Sequence, residues 1–396
     1  MKTMKLLLTS LLLLGLLSGC WDTKELNEVA FVTGVAIEQG EDAKYKVTVG
    51  VANASQLNVQ KSEGNTPSVT FSLEGNSISE LLDKMNVGLT RELRFSHTRT
   101  LVIGEEVARE GIAGFLDYLE RSGQFRNNFT MLVAKNISAA DILKTTFPIQ
   151  KIPSLKIHNQ SSTLFKEWGG APDMKLSDFI AALSSKGRHP VAEALTIVGS
   201  PEQGGSVDNN KKLDPESLIT LVGLAVFKED KLIGYLNLEE TRNYVWTQDL
   251  IQTTLTVPCG EEKYIDVRIV NSKSSIHANY NRETPNFQVE IIAEALLNGT
   301  QCRDDLEKVD TYKKFEKDIE VMSESMILNT VTKVQEEYEV DIFGFGEAMR
   351  RQHYQRFQAV KDHWDEEFSK ADIDITVNIF LRRAGTSNKS FLTEDE

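Results

Sequence analysis

The sequence predicts a multi-lobed protein of mixed α/β and α+β class, and three observations predict it. Early in the chain, strand-like and helix-like periodicities alternate, as they do when helices are laid on a sheet. Beyond a polar, glycine-containing stretch at 199–215, strands are grouped first, and two long helices and a last strand follow. A length of 396 residues, at about 150 per domain, gives two or three folded units. The expected divisions are 1–19 as a signal peptide, 20–145 as an N-terminal α/β domain, 146–215 as a small middle domain with its linker, 216–385 as a C-terminal α+β domain, and 386–396 as a tail. The C-terminal domain is expected to be an antiparallel sheet carrying two long helices.

The first twenty residues read MKTMKLLLTSLLLLGLLSGC. Lys2 and Lys5 form a short basic region, and Leu6 to Leu17 an apolar core too short to span a bilayer comfortably. Leu17-Ser18-Gly19-Cys20 resembles the bacterial lipobox, in which the cysteine thiol is diacylated and the chain is then cut before it. Trp21, favoured at a bilayer interface, follows directly with Asp22, Lys24 and Glu25 close behind. The lipid on Cys20 is then the only covalent membrane hold, and more than one acyl chain is needed for it to last.

Tyr45, Val47, Val49 and Val51 alternate with polar residues, as do Val69, Phe71 and Leu73, so both segments are expected strands. Ser77 and Glu80 have capping-box spacing before an apolar stripe of Ile78, Leu81, Leu82, Met85 and Leu89. A buried strand over 99–104, a helix over 105–122 and a strand over 128–134 complete the first unit. From 148 to 201 five prolines loosen the pattern, and one helix capped by Ser177 is expected. Leu218 to Phe227 and Leu232 to Leu238 read as a hairpin opening the C-terminal domain. Strands over 250–257, 264–270 and 287–297, a helix over 305–338, a helix marked by Tyr354, Phe357, Trp364 and Phe368, and a strand over 372–380 follow.

The formal net charge of −14 argues against nucleic acid and against a polybasic grip on anionic lipid. No G-x-S-x-G elbow, P-loop or H-E-x-x-H is present, and the six histidines are scattered, so neither catalysis, nor a metal, nor a cofactor is expected. Cys259 and Cys302 flank strands able to pair. A disulfide and two free thiols are equally compatible with the sequence.

Two runs carry a resemblance. One is Gly19-Cys20-Trp21-Asp22, then Glu25-Leu26-Asn27 and Phe31 to Ile37; the other is Asp341-Ile342-Phe343-Gly344-Phe345-Gly346, then Arg350, Trp364 and Val377 to Arg383. Together they resemble the Ger(x)C family, the lipoprotein C subunit of nutrient germinant receptors in endospore-forming bacteria. The resemblance implies a three-lobed, non-catalytic protein on the outer face of the spore inner membrane. There it is held by an N-terminal diacylglyceryl cysteine, Cys20, and acts with integral membrane subunits A and B. Trp21, Asp22, Glu25 and Asn27 match the family pattern without an assigned role, and contact with a small-molecule germinant is left open. The competing expectation is the solute-binding lipoprotein of an ABC-type importer, which requires two similar lobes about a cleft.

Overall fold

The computed structural model describes residues 27–53, 66–248, 252–281 and 284–382, with Met4 and Glu25. The leader, Cys20, Trp21 and Asp22 lie outside the described residues. The chain enters through β1 (Val29–Gln39), β2 (Tyr45–Ala52) and β3 (Ser68–Gly75), then α1 (Ile78–Lys84) and the short β4 (Glu92–Arg94). Ser77 caps α1, its side chain accepting the Glu80 N–H. Next come β5 (Thr100–Gly104), α2 (Glu105–Glu110), α3 (Ala113–Arg121), β6 (Thr130–Ala134) and α4 (Ala139–Lys144). The expected single helix over 105–122 is thus two. Gly111, at φ +126°, breaks it, and Asp230 Oδ2 accepts the freed Ala113 N–H at 2.9 Å.

The stretch from 146 holds more structure than its prolines suggest. It contains α5 (Pro153–Trp168), α6 (Leu176–Leu183) and β7 (Val191–Gly199). The start and stop of α5 follow ordinary rules: Pro153 begins it, and Gly169 ends it in the left-handed region. A short helix, α7 (Pro201–Gly204), then leads to β8 (Ser217–Lys228), β9 (Lys231–Leu236) and α8 (Leu238–Thr247).

All nine of these strands form one sheet, ordered β3-β2-β1-β5-β6-β7-β8-β9, with β4 beside β1. Strands β1, β5, β6 and β7 run parallel, and the outer pairs are antiparallel. Strands β5 and β6 are buried at every position, as parallel strands covered on both faces must be. One apolar layer unites α1, α3 and α6 with one face; a second unites α4 and α5 with the other.

The expected boundary at 215/216 therefore falls inside a sheet. Strand β8 pairs with β7 from Ser217↔Gly199 to Val226↔Val191, which makes 200–216 a loop between sheet partners. Buried Asn209 pins that loop, donating to Thr146 O (2.8 Å) and Ser217 O (3.1 Å). The hairpin β8–β9 extends the large sheet instead of opening the C-terminal lobe. What ties it to that lobe is packing: Leu224, Val226 and Leu236 belong to the apolar cluster of the C-terminal half.

The second sheet is ordered β10 (Thr253–Gly260), β11 (Lys263–Asn281), β12 (Thr284–Thr300) and β13 (Asp372–Arg382). Its first three strands are antiparallel, as expected, but β13 joins β12 in parallel. The intervening chain crosses over through α9 (Val309–Lys333), α10 (Phe345–Gln352), α11 (Tyr354–Val360) and α12 (Trp364–Ser369), and such a crossover returns the strand in the same direction. The helix expected around Tyr354 to Phe368 is divided between α11 and α12. A nine-stranded and a four-stranded sheet are not the paired, similar lobes that an importer's solute-binding protein requires.

Candidate functional site at the joint between the lobes

Of Trp21, Asp22, Glu25 and Asn27 in the N-terminal run, Glu25 and Asn27 are described, and both are exposed. Asn27 Nδ2 donates to Glu25 Oε2 at 3.1 Å, and the Glu28 N–H donates to Glu25 O at 3.0 Å. The pair forms a turn, and Glu28 O then accepts the Glu92 N–H at 2.9 Å as β1 begins. These two residues shape the entry into the folded body and stand far in sequence from the second run.

That second run is built around Asp341, whose side chain is fully buried. Its Oδ1 accepts the N–H groups of Phe343 (3.0 Å) and Gly344 (2.8 Å); its Oδ2 accepts those of Gly346 (2.8 Å) and the Trp364 indole (3.1 Å). Burial pushes the Asp341 carboxyl up, and hydrogen bonds from Gly346, Gly344 and Trp364 oppose the rise. Gly344, at φ +86°, lets the chain wrap the carboxylate. Gly346 is needed for closeness: a β-carbon there would stand 2.6 Å from Gly187 Cα and 2.7 Å from Trp364 Nε1. Phe343, Phe345, Phe287 and Phe368 surround this turn in tilted and stacked contacts.

Gly187 lies in the turn that leads into β7, so the Asp341 turn is where the small-sheet lobe meets the large one. The His189 N–H donates to Asp341 O at 2.7 Å. The His189 ring then links two elements: Nδ1 accepts the Glu229 N–H (3.0 Å), and Nε2 meets Asp365 Oδ1 (2.8 Å). Lys228 Nζ reaches Asp365 Oδ2 at 3.0 Å. Burial works to raise the Asp365 carboxyl, but His189 and Lys228 hold it below the usual carboxylate range. Arg188 Nη2 donates to the Tyr244 hydroxyl at 2.8 Å. A second clamp lies along α5: Thr253 Oγ1 donates to Trp168 O (2.8 Å), Arg268 pairs with Glu167 (3.0 Å), and Arg242 stacks over the Trp168 ring at 4.8 Å.

Cys259, on β10, and Cys302, just past β12, are joined as a disulfide with Cα atoms 6.4 Å apart. The bridge ties the edge strand to the end of its second neighbour. Among the described residues no group of three or more His, Cys, Asp or Glu is placed to hold a metal ion, and no helix is long and apolar enough to cross a membrane.

One buried ionisable group escaped the sequence reading. Glu193 on β7 is fully buried; Ser161 Oγ donates to its Oε1 at 2.7 Å, and Oε2 has no partner. Desolvation pushes its pKa up to about 7. The available signal was a lone acid inside the apolar run Val191-Ala192-Glu193-Ala194-Leu195.

The family model for the spore germination protein N-terminal domain matches residues 22–197, and that for the spore germination B3/GerAC-like C-terminal domain matches residues 222–385. The chain belongs to the Ger(x)C family of spore germination proteins. It is 28% identical over 395 residues to spore germination protein KC of Bacillus subtilis (strain 168), covering 97% of each chain. To spore germination protein B3 of the same organism it is 23% identical over 397 residues, covering 98% of this chain and 100% of the other. The crystal structure of the GerBC protein superimposes with a TM-score of 0.54 at 20% identity, covering 91% of this chain and 99% of that one, so the fold is shared. In this Ger(x)C chain the two matched segments end and begin on β7 and β8, hydrogen-bonded neighbours in one sheet.

Proposed function

We propose that this Ger(x)C chain is the lipid-anchored, non-catalytic subunit of a nutrient germinant receptor, held on the outer face of the spore inner membrane beside integral A and B subunits. The observation that carries the reading is the family match, which extends over both lobes and nearly the whole length. The lipobox-like Leu17 to Cys20 supports the anchor. Diacylation of Cys20 confines the body to the membrane plane and raises its effective concentration beside integral partners. The tether is short: Val29, the first residue of β1, is nine residues past Cys20, a reach of at most about 30 Å. Docking by surfaces fits a body whose Asp341 turn builds the joint between its lobes.

The test has two arms. Cys20→Ala is expected to leave the fold intact and impair the nutrient response in spores holding normal amounts of the protein; a full response from such spores counts against the anchor. Affinity purification from spore membranes followed by mass spectrometry is expected to recover two integral receptor proteins. Recovery of an importer permease in their place, or reproducible hydrolytic turnover by the purified chain, overturns the reading.

A further inference from the structure

Helix α5 is a strut between the two lobes. Most of its length stands on the large sheet through polar contacts to four strands. Ser154 Oγ donates to Thr33 Oγ1 on β1 (2.8 Å), and Lys156 Nζ donates to Ile219 O on β8. His158 Nδ1 meets Thr130 Oγ1 on β6 (3.2 Å), and Ser161 Oγ donates to Glu193 Oε1 on β7 (2.7 Å). Its last turn grips the small sheet. Thr253 Oγ1 donates to Trp168 O, while Arg268 donates through Nη1 to Glu167 O and through Nη2 to Glu167 Oε2.

One foothold depends on a proton. Glu193 is fully buried, and its Oε2 has no hydrogen-bond partner. Asp173, between α5 and α6, repels a charge on Glu193; Lys175 attracts one, but its ammonium is already engaged by Asp173 and Thr130. On α5 itself, burial, with Lys175 and Arg99, holds His158 below its usual range, and burial brings Lys156 down to about 8. The Lys156 bond to a carbonyl needs a single N–H and survives loss of that proton. Protonated, Glu193 is a neutral side chain under the helix. Ionised, it is a buried charge with one donor, a state that draws in water. Strands β6 and β8 close its sides, so water reaches Oε2 when α5 lifts. We propose that Glu193 is a proton-operated latch beneath α5: protonation seats the helix and its grip on the small sheet, and ionisation lifts it and loosens the joint between the lobes. The closed helix holds the proton more tightly than the open one. Opening therefore grows as pH rises from 4.5 to about 7 and levels off above that. The latch is independent of membrane anchoring, since every group it uses lies within the folded chain.

The test is hydrogen exchange of the full chain in detergent, read by mass spectrometry from about pH 5 to about pH 8.5 and corrected for the intrinsic pH dependence of amide exchange. Peptides from α5 and from the β10 edge beside Trp168 are expected to lose protection by roughly ten-fold or more across that range. Peptides from β12 are expected to stay level. Glu193→Gln, neutral throughout, is expected to keep α5 and β10 equally protected at every pH. Ser161→Ala removes the one donor to the carboxylate and is expected to move the midpoint to higher pH, which loss of packing alone does not do; it decides the matter where Glu193→Gln fails to fold. Constant protection of α5 in the parent overturns the proposal. So does a pH response that persists in Glu193→Gln, an unmoved midpoint in Ser161→Ala, or loosening of α5 that leaves β10 unchanged.

Discussion

Glu316 on α9 accepts the backbone N–H of Leu381 on β13 at 2.8 Å. It is the first of three such bonds: Glu320 takes the Ile379 N–H at 3.2 Å and Glu324 the Val377 N–H at 3.1 Å. Strand β13 is the edge of the small sheet, and its outward N–H groups would otherwise be open to another chain. The spacings explain the fit. Four helical residues advance about 6 Å and two strand residues about 6.6 Å, so carboxylates at every fourth helix position meet every second strand amide.

Glu320→Ala should therefore unseat the middle of this seam. Leaving the half-covered Ile379 N–H without its acceptor should lower stability by about 1–2 kcal/mol. Urea denaturation reads the loss, and amide exchange at Ile379 should rise while exchange at Val289, on the inner strand β12, stays level. Unchanged exchange at Ile379 would show that the carboxylate does not protect the edge.

Asp341→Asn keeps the size of the side chain but replaces one acceptor oxygen by a donor that faces N–H groups. The buried turn should lose about 3 kcal/mol, and the Trp364 indole its partner. Tryptophan emission and chemical denaturation check this; a variant as stable as the parent would mean that the four bonds to Asp341 are not what shapes the turn.

Glu193 should make stability fall as pH rises. Its folded pKa of about 7 lies above the 4.5 of an unperturbed glutamate, so the folded state binds more protons between those values. Stability is fully supported below the lower value and is lost as pH climbs through about 7. Glu193→Gln should flatten that slope and by pH 8 exceed the parent by about 3 kcal/mol. Melting curves across the pH range decide it: equal slopes in the two proteins sink the assignment.

Removing the Cys259–Cys302 bridge, by Cys259→Ser with Cys302→Ser, should cost about 4 kcal/mol, given the 43-residue separation it closes. Non-reducing peptide mapping should first find the bridge in the native chain. Free thiols there, or an unchanged denaturation midpoint in the double variant, would contradict it.

Much of this protein was legible in local pattern. The alternation of Tyr45 to Val51, the Ser77 cap and the capped apolar stripe after it each appear where the residues place them. So does the second family run, because it is contiguous in sequence. Tertiary structure decided the rest. The hairpin 217–236 has strand periodicity in either sheet, and only its pairing with β7 and the continuity of its apolar face with the C-terminal cluster assign it. The Asp341 turn reads as a glycine-rich loop until Gly187 and Trp364 are brought against it. Glu193 reads as one polar residue in a strand until α5 covers it. Periodicity and capping depend on neighbours a few positions apart, whereas strand partners, buried charge and the meeting of lobes depend on residues that only the completed fold brings within reach.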